Sequence, residues 1–183
     1  YARAHRHAMQ ALELAEPGFA TRLASTQPAE WPRLRAEQAG LAYWAAASWG
    51  GWISLSKDDP DVVADLPLAV RLAHLAWVAD PAWGQGSLTG LLGTFEAARP
   101  GGSQQKALAY FDQAIAQSAG RSAGAWLAKA EGHAQPAGDK ELFASLLRQA
   151  LAIKDEAGSP LTTQNEVMRR RALWLQEKID DLF

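Results

Sequence analysis

A long run without a charged side chain, from 38 to 56, constrains the fold of this chain more than any other feature. The run contains Tyr43, Trp44, Trp49 and Trp52 among Ala, Gly and Ser, and the acidic segment from Asp58 follows it. A helix that is apolar on every side is buried among other helices or in a membrane. Tryptophans in such a helix either fill volume in the core or line a cavity.

The composition of this run decides between the two environments. Its length would allow it to span a bilayer. However, it contains few Leu, Ile, Val or Phe residues, and the adjacent glycines Gly50 and Gly51 lie within it. These features favour a buried helix that faces the axis of a helical repeat over a membrane span.

The rest of the sequence also predicts helices. No segment alternates apolar and polar residues in the way that a strand does, and Ala, Leu, Gln, Arg and Glu dominate. We therefore predict an all-α fold in one domain, 1–183. Asp59, Ser103 and Asp139 are candidate N-caps, with Pro60 at a first helical position. Helices are predicted near 1–16, 17–25, 31–56 (with a break at Gly50-Gly51 as an option), 60–79, 84–98, 103–118, 121–134, 138–154 and 162–182.

An internal repeat specifies the kind of helical fold. A set of mostly small or apolar residues recurs at offsets 0, +4, +7 and +12, which is typical of the second helix of a tetratricopeptide (TPR) repeat. The match is degenerate, so we predict TPR-like helix pairs that stack into a superhelix with a central channel or groove. The four copies are Ala69, Ala73, Ala76 and Pro81; Ala107, Phe111, Ala114 and Ala119; Phe143, Leu147, Ala150 and Asp155; and Ala4, Ala8, Ala11 and Glu16.

Charge and motifs exclude several classes of function. The net charge of −2 and pI of about 6.1 give no attraction to nucleic acid. The absence of Cys excludes thiol catalysis and Cys-ligated zinc, and His5 and His7 point to different sides of a helix. No nucleophile elbow, phosphate loop or zinc-protease motif is present. We therefore predict a protein that is not an enzyme and that needs no cofactor or metal.

The tryptophan-rich helix supplies the first candidate binding residues. We expect Tyr43, Trp44, Ser48, Trp49 and Trp52 to form an apolar channel wall, and the alternative is that all of them are core residues.

A second inner helix is expected to contribute Leu92, Phe95, Glu96 and Arg99. The last two share a helix face, either as a solvated pair or as polar groups on the inner surface. Lys57, Asp58 and Asp59 are expected to lie at the mouth or to hold the loop.

These residues also resemble a known family. The segments YWAAASWGGWISLSKDDPDVVADLP, LLGTFEAARPGG, GRSAG, ELFASLLRQALAI and RRRALWLQEKIDDLF are similar to those of the T-component of TRAP transporters, the TatT family. The resemblance extends from HAMQALELAEPGF at 7–19 to the C-terminus, and the block at 43–67 is its most specific part.

The resemblance implies a periplasmic lipoprotein whose signal peptide and lipidated Cys lie upstream, so that this chain is the C-terminal part of a longer protein. It implies TPR-like pairs, an apolar channel and a homotrimer. It also implies a partner, which is the periplasmic solute-binding subunit of a tripartite ATP-independent transporter for organic acids or more hydrophobic ligands. Lys57, Arg99 or Arg121 could then receive a ligand carboxylate.

Two other functions remain open from the sequence. A generic TPR scaffold would grip a peptide in a groove rich in Asn, Lys and Arg, whereas this chain has a single asparagine. An enzyme would require clustered titratable groups with perturbed pKa values, and the residue spacing shows none.

Overall fold

The computed structural model describes residues 1–154 and 158–183, and every regular element in these two ranges is helical. The predicted all-α class is therefore confirmed. The helices are α1 (Ala2–Ala15), α2 (Phe19–Ala24), α3 (Ala39–Leu55), α4 (Pro60–Ala64), α5 (Leu66–Ala79), α6 (Ser87–Ala98), α7 (Gln104–Gln117), α8 (Ala123–Lys129), α9 (Lys140–Ala152), α10 (Thr162–Glu177) and α11 (Ile179–Leu182). Short 3-10 turns occupy Pro28–Glu30, Ala36–Gln38 and Trp83–Gly86, and a π-helical segment, Ala130–Ala134, follows α8.

The chain divides into two compact units, Tyr1–Gly84 and Gln85–Phe183. The first unit contains α1 to α5, and the second contains α6 to α11. The interpretation of the whole chain as one TPR-like domain stays a prediction.

The uncharged helix α3 is the centre of the first unit, where it packs against α1 and α5. The small residues Ala42, Ala45 and Ala46 are fully buried, which allows close approach of the neighbouring helices. The helix is not buried on all sides as expected, because Trp44 and Leu55 are exposed. Packing of small residues on the inner sides leaves these two large side chains on the outer one.

A phenylalanine organises the second unit, in which α6 packs against α7 and α8 against α9. The side chain of Phe111 on α7 is fully buried. A Cβ atom on Gly93 of α6 would lie 2.7 Å from its ring, and one on Gly132 of the π-helical segment would lie 2.6 Å away. Both distances are shorter than real side chains allow, so glycine is required on both sides of this ring.

The structure distinguishes the copies of the internal repeat. At offsets 0, +4 and +7 the residues of α5, α7 and α9 are all fully buried, as close helix packing requires. In α1 the corresponding residues Ala4, Ala8 and Ala11 are exposed or half-buried, because α1 buries a different face that includes Leu12. The last position of the third copy, Asp155, lies outside the described residues.

The predicted N-caps are confirmed. The Asp59 carboxylate accepts from the amides of Asp61 and Val62, and Pro60 begins α4. The Ser103 hydroxyl accepts from Lys106 N at 3.2 Å, and the Asp139 carboxylate from Leu142 N at 2.8 Å. The structure adds a cap that the sequence analysis missed, the Ser122 hydroxyl at the start of α8.

Several predicted helices have different bounds in the structure. The helix predicted over 31–56 begins at Ala39, because a separate 3-10 turn precedes it, in which the Gln38 side chain accepts from Arg35 N at 2.9 Å. This helix continues unbroken through Gly50 and Gly51. The helix predicted over 162–182 ends at Glu177, and a short turn of helix follows.

The apolar stretch Pro60–Ala79 also differs from its prediction as one helix. By length and composition alone it could cross a membrane, although buried core helices meet the same criteria. The structure divides it at Asp65, with Pro67 in the first turn of α5. Arg71 of α5 donates to the carbonyls of Leu23 and Ser25. A charged side chain thus joins α5 to the end of α2 within the first unit.

Candidate functional site

A groove of about 620 Å³ lies on the first unit along one face of α1. This volume is in the range of pockets that bind small molecules. Residues of α1 at helical spacing form one wall, α2 contributes two residues, and Trp52 of α3 completes the lining. The lining residues are Ala2, His5, Arg6, Met9, Gln10, Glu13, Ala20, Thr21 and Trp52.

An aromatic stack supports this groove. The imidazole of His5 lies 4.3 Å from the Trp49 ring and 6.0 Å from the Trp52 ring, measured between centroids. Trp49 is 5% exposed, and Trp52 is half-buried and lines the groove. The two indole rings are tilted by 35° and 41° relative to the imidazole, and the rings give the groove an apolar wall where α1 packs against α3.

The His5 imidazole is half-buried beside α3. This desolvation lowers its pKa, and the Ala45 carbonyl and the Asp65 carboxylate only partly oppose the effect. Nδ1 lies 3.4 Å from the Ala45 carbonyl oxygen, which can only accept a hydrogen bond. A hydrogen bond at this contact requires the tautomer that carries its proton on Nδ1.

The acidic side chain in the groove, Glu13, already accepts hydrogen bonds from backbone amides. One oxygen of the Glu13 carboxylate accepts from Gly18 N at 2.6 Å, and the other accepts from Ala20 N at 3.0 Å. These backbone hydrogen bonds lower the pKa of Glu13. Glu13 therefore holds the turn between α1 and α2 as a carboxylate.

The groove also presents donors that the described chain does not use. Within residues 1–154 and 158–183, the side chains of Arg6, Gln10 and Thr21 have no hydrogen-bond or ion-pair partner. Next to the groove, the indole Nε1 of Trp49 is buried and likewise has no acceptor in those ranges. An arginine, an amide and a hydroxyl thus line one apolar groove.

A second hollow of about 610 Å³ lies on the same unit and is more polar. Arg22 pairs with Glu16 at its edge, and Arg71 stacks 4.1 Å above the Trp31 ring. The Trp31 indole donates to Ser25 O at 2.9 Å, the same carbonyl that Arg71 contacts. The contacts of Arg71 and Trp31 fix the connection between α2 and α3, and the Arg22–Glu16 pair joins the end of α1 to α2.

The residues predicted on α3 lie in different environments. Trp49 and Ser48 are buried, and the Ser48 hydroxyl donates to the Trp44 carbonyl at 2.6 Å. Trp44 is 62% exposed, whereas Trp52 reaches the groove. The half-buried Tyr43 ring lies 4.5 Å from the Trp83 ring and 5.1 Å from the Trp44 ring. Of the five, Trp52 lines the groove directly and Trp49 supports it through His5.

The residues predicted on α6 belong to the second unit. Leu92 and Phe95 are core residues, each 5% exposed. Arg99 makes two hydrogen bonds to the Glu96 carboxylate, at 2.8 and 2.9 Å, and Ser103 N donates to the same carboxylate at 2.8 Å. The Arg99 contact lowers the pKa of Glu96. The pair closes the turn between α6 and α7, so both side chains already have strong partners.

The remaining predicted residues lie in connections. Lys57 and Asp58 are exposed, while Asp59 caps α4. Arg121 is exposed before α8, and its Nε donates to the Ser118 carbonyl at 3.4 Å. Its own carbonyl accepts from the side chain of Asn165 at 2.9 Å.

Most residues of the groove were not predicted from the sequence. Trp52 was predicted, but Met9, Gln10 and Thr21 were not, and His5 was considered only as a possible metal ligand. A signal was present, because His5, Met9 and Glu13 are four residues apart and therefore share one face of α1. What the spacing does not show is that α2 folds back beside this face.

The groove combines an apolar surface with a few hydrogen-bond donors. Among the described residues no group of three or more His, Asp or Glu is placed to hold a metal ion. In the groove the Glu13 carboxylate accepts from two backbone amides, and Nδ1 of His5 contacts a carbonyl oxygen. An apolar surface with a few donors is typical of small-molecule sites.

Comparison with known proteins identifies the family. An uncharacterized protein of Treponema pallidum (strain Nichols) is 24% identical over 190 residues, a match that covers 100% of this chain and 59% of that protein. The chain thus spans about three fifths of the length of the curated relative. The family model described as TRAP transporter T-component matches residues 1–183. That family comprises transporter accessory components and is not known as an enzyme family. The chain therefore belongs to the TRAP transporter T-component family.

Proposed function

We propose that this chain carries the binding functions of a periplasmic accessory protein of a TRAP transport system. In this function it binds the solute-binding subunit of the transporter and a small organic-acid or hydrophobic ligand. The observation that carries the proposal is the match of the T-component family model to residues 1–183. The groove on α1 supports the ligand part, because it combines aromatic surface with unused donors.

The remaining features of the proposal concern architecture. The helix pairs of each unit are TPR-like and stack into a superhelix, the protein is a homotrimer, and a lipid on an upstream Cys anchors it to the membrane. The fully buried apolar residues at equivalent positions of α5, α7 and α9 support the repeat.

Specific side chains are assigned to an apolar channel in this proposal. Tyr43, Trp44, Ser48, Trp49 and Trp52 of α3 supply apolar wall in the first unit. Leu92, Phe95, Glu96 and Arg99 of α6 are the corresponding residues in the second. Lys57, Asp58, Asp59 and Arg121 are mouth residues.

One feature of the structure weighs against the alternative, a generic TPR scaffold that grips a peptide. Such a scaffold needs free asparagine side chains to bind peptide backbone, and the single asparagine of this chain is Asn165. Asn165 is 2% exposed, and its side chain bonds to the backbone of Ala123 and Arg121 at 2.9 Å. Its amide group is therefore occupied by the hydrogen bonds that join α10 to the start of α8.

The experiment that tests the proposal is calorimetric titration of the full-length protein with the solute-binding subunit of its own transport system. It is done with and without candidate organic acids. We expect a complex tighter than about 100 µM, or roughly 5.5 kcal/mol, whose affinity changes when ligand is added. A lack of binding at that concentration, together with binding of an extended peptide, would instead establish the peptide scaffold.

A further inference from the structure

We infer that the groove on α1 binds an amphipathic monocarboxylate, with the carboxylate at Arg6 and the apolar body on Met9 and Trp52. The inference rests on the proposed function and deepens it, since it names a site and a class of ligand. It differs from the channel described above because α1 and α2 supply most of the lining.

Charge complementarity selects an anion at one end of the groove. Arg6 lines the groove, is exposed, and has no ion-pair or hydrogen-bond partner within 1–154 and 158–183. A guanidinium makes its strongest contacts with a carboxylate, through two parallel hydrogen bonds. Gln10, one turn further along α1, provides an amide donor beside it.

The opposite end of the groove does not repel such a ligand. Glu13 is seven residues from Arg6, which is about 10 Å along the helix at 1.5 Å per residue. Its two oxygens accept the amides of Gly18 and Ala20, which oppose its charge. A ligand carboxylate at Arg6 therefore lies far from the acidic group.

The middle of the groove accepts an apolar body. Met9 and Ala20 line it from the two helices, and Trp52 provides an aromatic surface. Methionine adapts to ligands of irregular shape, because its side chain is unbranched and polarizable. Burial lowers the pKa of His5, which disfavours a second positive charge beside Trp52. One charge at one end therefore favours a monocarboxylate over a dicarboxylate.

The test uses octanoate, octanol and octylamine as probes, which share a chain and differ in the head group. Each is titrated into the full-length protein alone by calorimetry. We expect octanoate to bind at least about 10-fold more tightly than octylamine, a difference of ~1.4 kcal/mol. Octylamine either places its ammonium group beside the Arg6 guanidinium, which repels it, or binds in the opposite orientation. In that orientation its ammonium group meets the Glu13 carboxylate, which already accepts hydrogen bonds from two backbone amides.

Variants assign the effect to the groove. Arg6→Gln should weaken octanoate binding about 10-fold and remove its advantage over octylamine. Arg3→Gln is the matched control, because Arg3 is an exposed arginine of α1 outside the lining. Since Arg6 is exposed, its substitution is not expected to affect folding, which far-UV circular dichroism checks.

A second readout locates the ligand. Octanoate should shift the NMR signal of the Trp52 indole N–H, assigned with Trp52→Phe, and leave that of the exposed Trp174 unchanged. Equal binding of octanoate and octylamine, wild-type affinity in Arg6→Gln, or no binding of octanoate at about 5 mM would each overturn the inference. These results leave the proposed function standing if the solute-binding subunit still binds, since that complex is measured separately.

Discussion

The two units of this chain use their aromatic residues in different ways. The first unit contains Trp31, Trp44, Trp49, Trp52, Trp77 and Trp83, while the second contains Trp126 and Trp174. In the first unit Trp52 lies at the groove, Trp44 at the surface and Trp31 beneath a cation, while Trp49 is buried and its indole N–H has no acceptor among the described residues. In the second unit the rings of Phe111 and Phe143 are fully buried, as that of Phe19 is in the first. The difference therefore lies in the tryptophans, several of which reach a groove or the surface in the first unit.

The ends of the helices differ in the same direction. In the second unit α7, α8 and α9 each begin with a side chain that accepts a backbone amide. In the first unit α1, α2, α3 and α5 have no such bond in the described structure, and only the short α4 is capped by Asp59. In the second unit α6, α10 and α11 likewise have no side-chain cap in the described structure. Side-chain caps thus stabilise three helices of the second unit and one of the first, so the first unit depends more on contacts between distant residues. A site that depends on such contacts is more sensitive to single substitutions.

The largest expected effect tests the core of the second unit. Phe111→Ala should lower the free energy of unfolding by about 3–5 kcal/mol, because it removes a fully buried ring and leaves a cavity between Gly93 and Gly132. Urea unfolding followed by circular dichroism measures the change. Phe183→Ala is the control, with a ring that is 41% exposed and an expected loss of about 1 kcal/mol. Equal losses in the two variants would show that Phe111 does not organise this unit.

An intermediate effect tests the dependence of the first unit on distant contacts. Arg71→Gln should lower the free energy of unfolding by about 2 kcal/mol, since it removes charged hydrogen bonds to the carbonyls of Leu23 and Ser25. The ring of Trp31 also loses its cation partner. Hydrogen exchange should increase over 23–31. Arg33→Gln changes an exposed arginine of the same connection, and a similar loss in that variant would contradict the role of Arg71.

The sequence predicted the features that depend on neighbouring residues. Asp59 followed by Pro60 specified a helix start, and Ser103 and Asp139 did the same, because a cap and its amide are two or three residues apart. The 0, +4, +7 spacing placed the buried faces of α5, α7 and α9 correctly, since helical geometry alone fixes which residues share a face. The family resemblance was confirmed along the whole chain.

The groove could not be predicted in the same way. His5 and Trp49 are 44 positions apart, and their ring contact follows from how α1 packs on α3. The partners of Arg71, Leu23 and Ser25, are equally distant in sequence. Trp44 was expected in an apolar wall, yet the chain exposes it, because the small residues of α3 take the inner positions. Residue spacing shows which side chains share a helix face, but not which helix covers that face.

The smallest expected effect concerns pH and tests whether His5 is packed in the groove as a neutral ring. Because desolvation lowers its folded pKa below the usual 6.5, the unfolded chain takes up a proton first as pH falls. The stability is present above pH 6.5 and is lost as pH falls toward the lowered folded pKa. Urea unfolding between about pH 7.5 and pH 5 should show this loss, and His5→Gln should reduce its slope. His7→Gln is the control, since its exposed imidazole meets water in both states. An unchanged slope in His5→Gln would mean that the ring opens to solvent, and that the first unit has no fixed aromatic stack to distinguish it from the second.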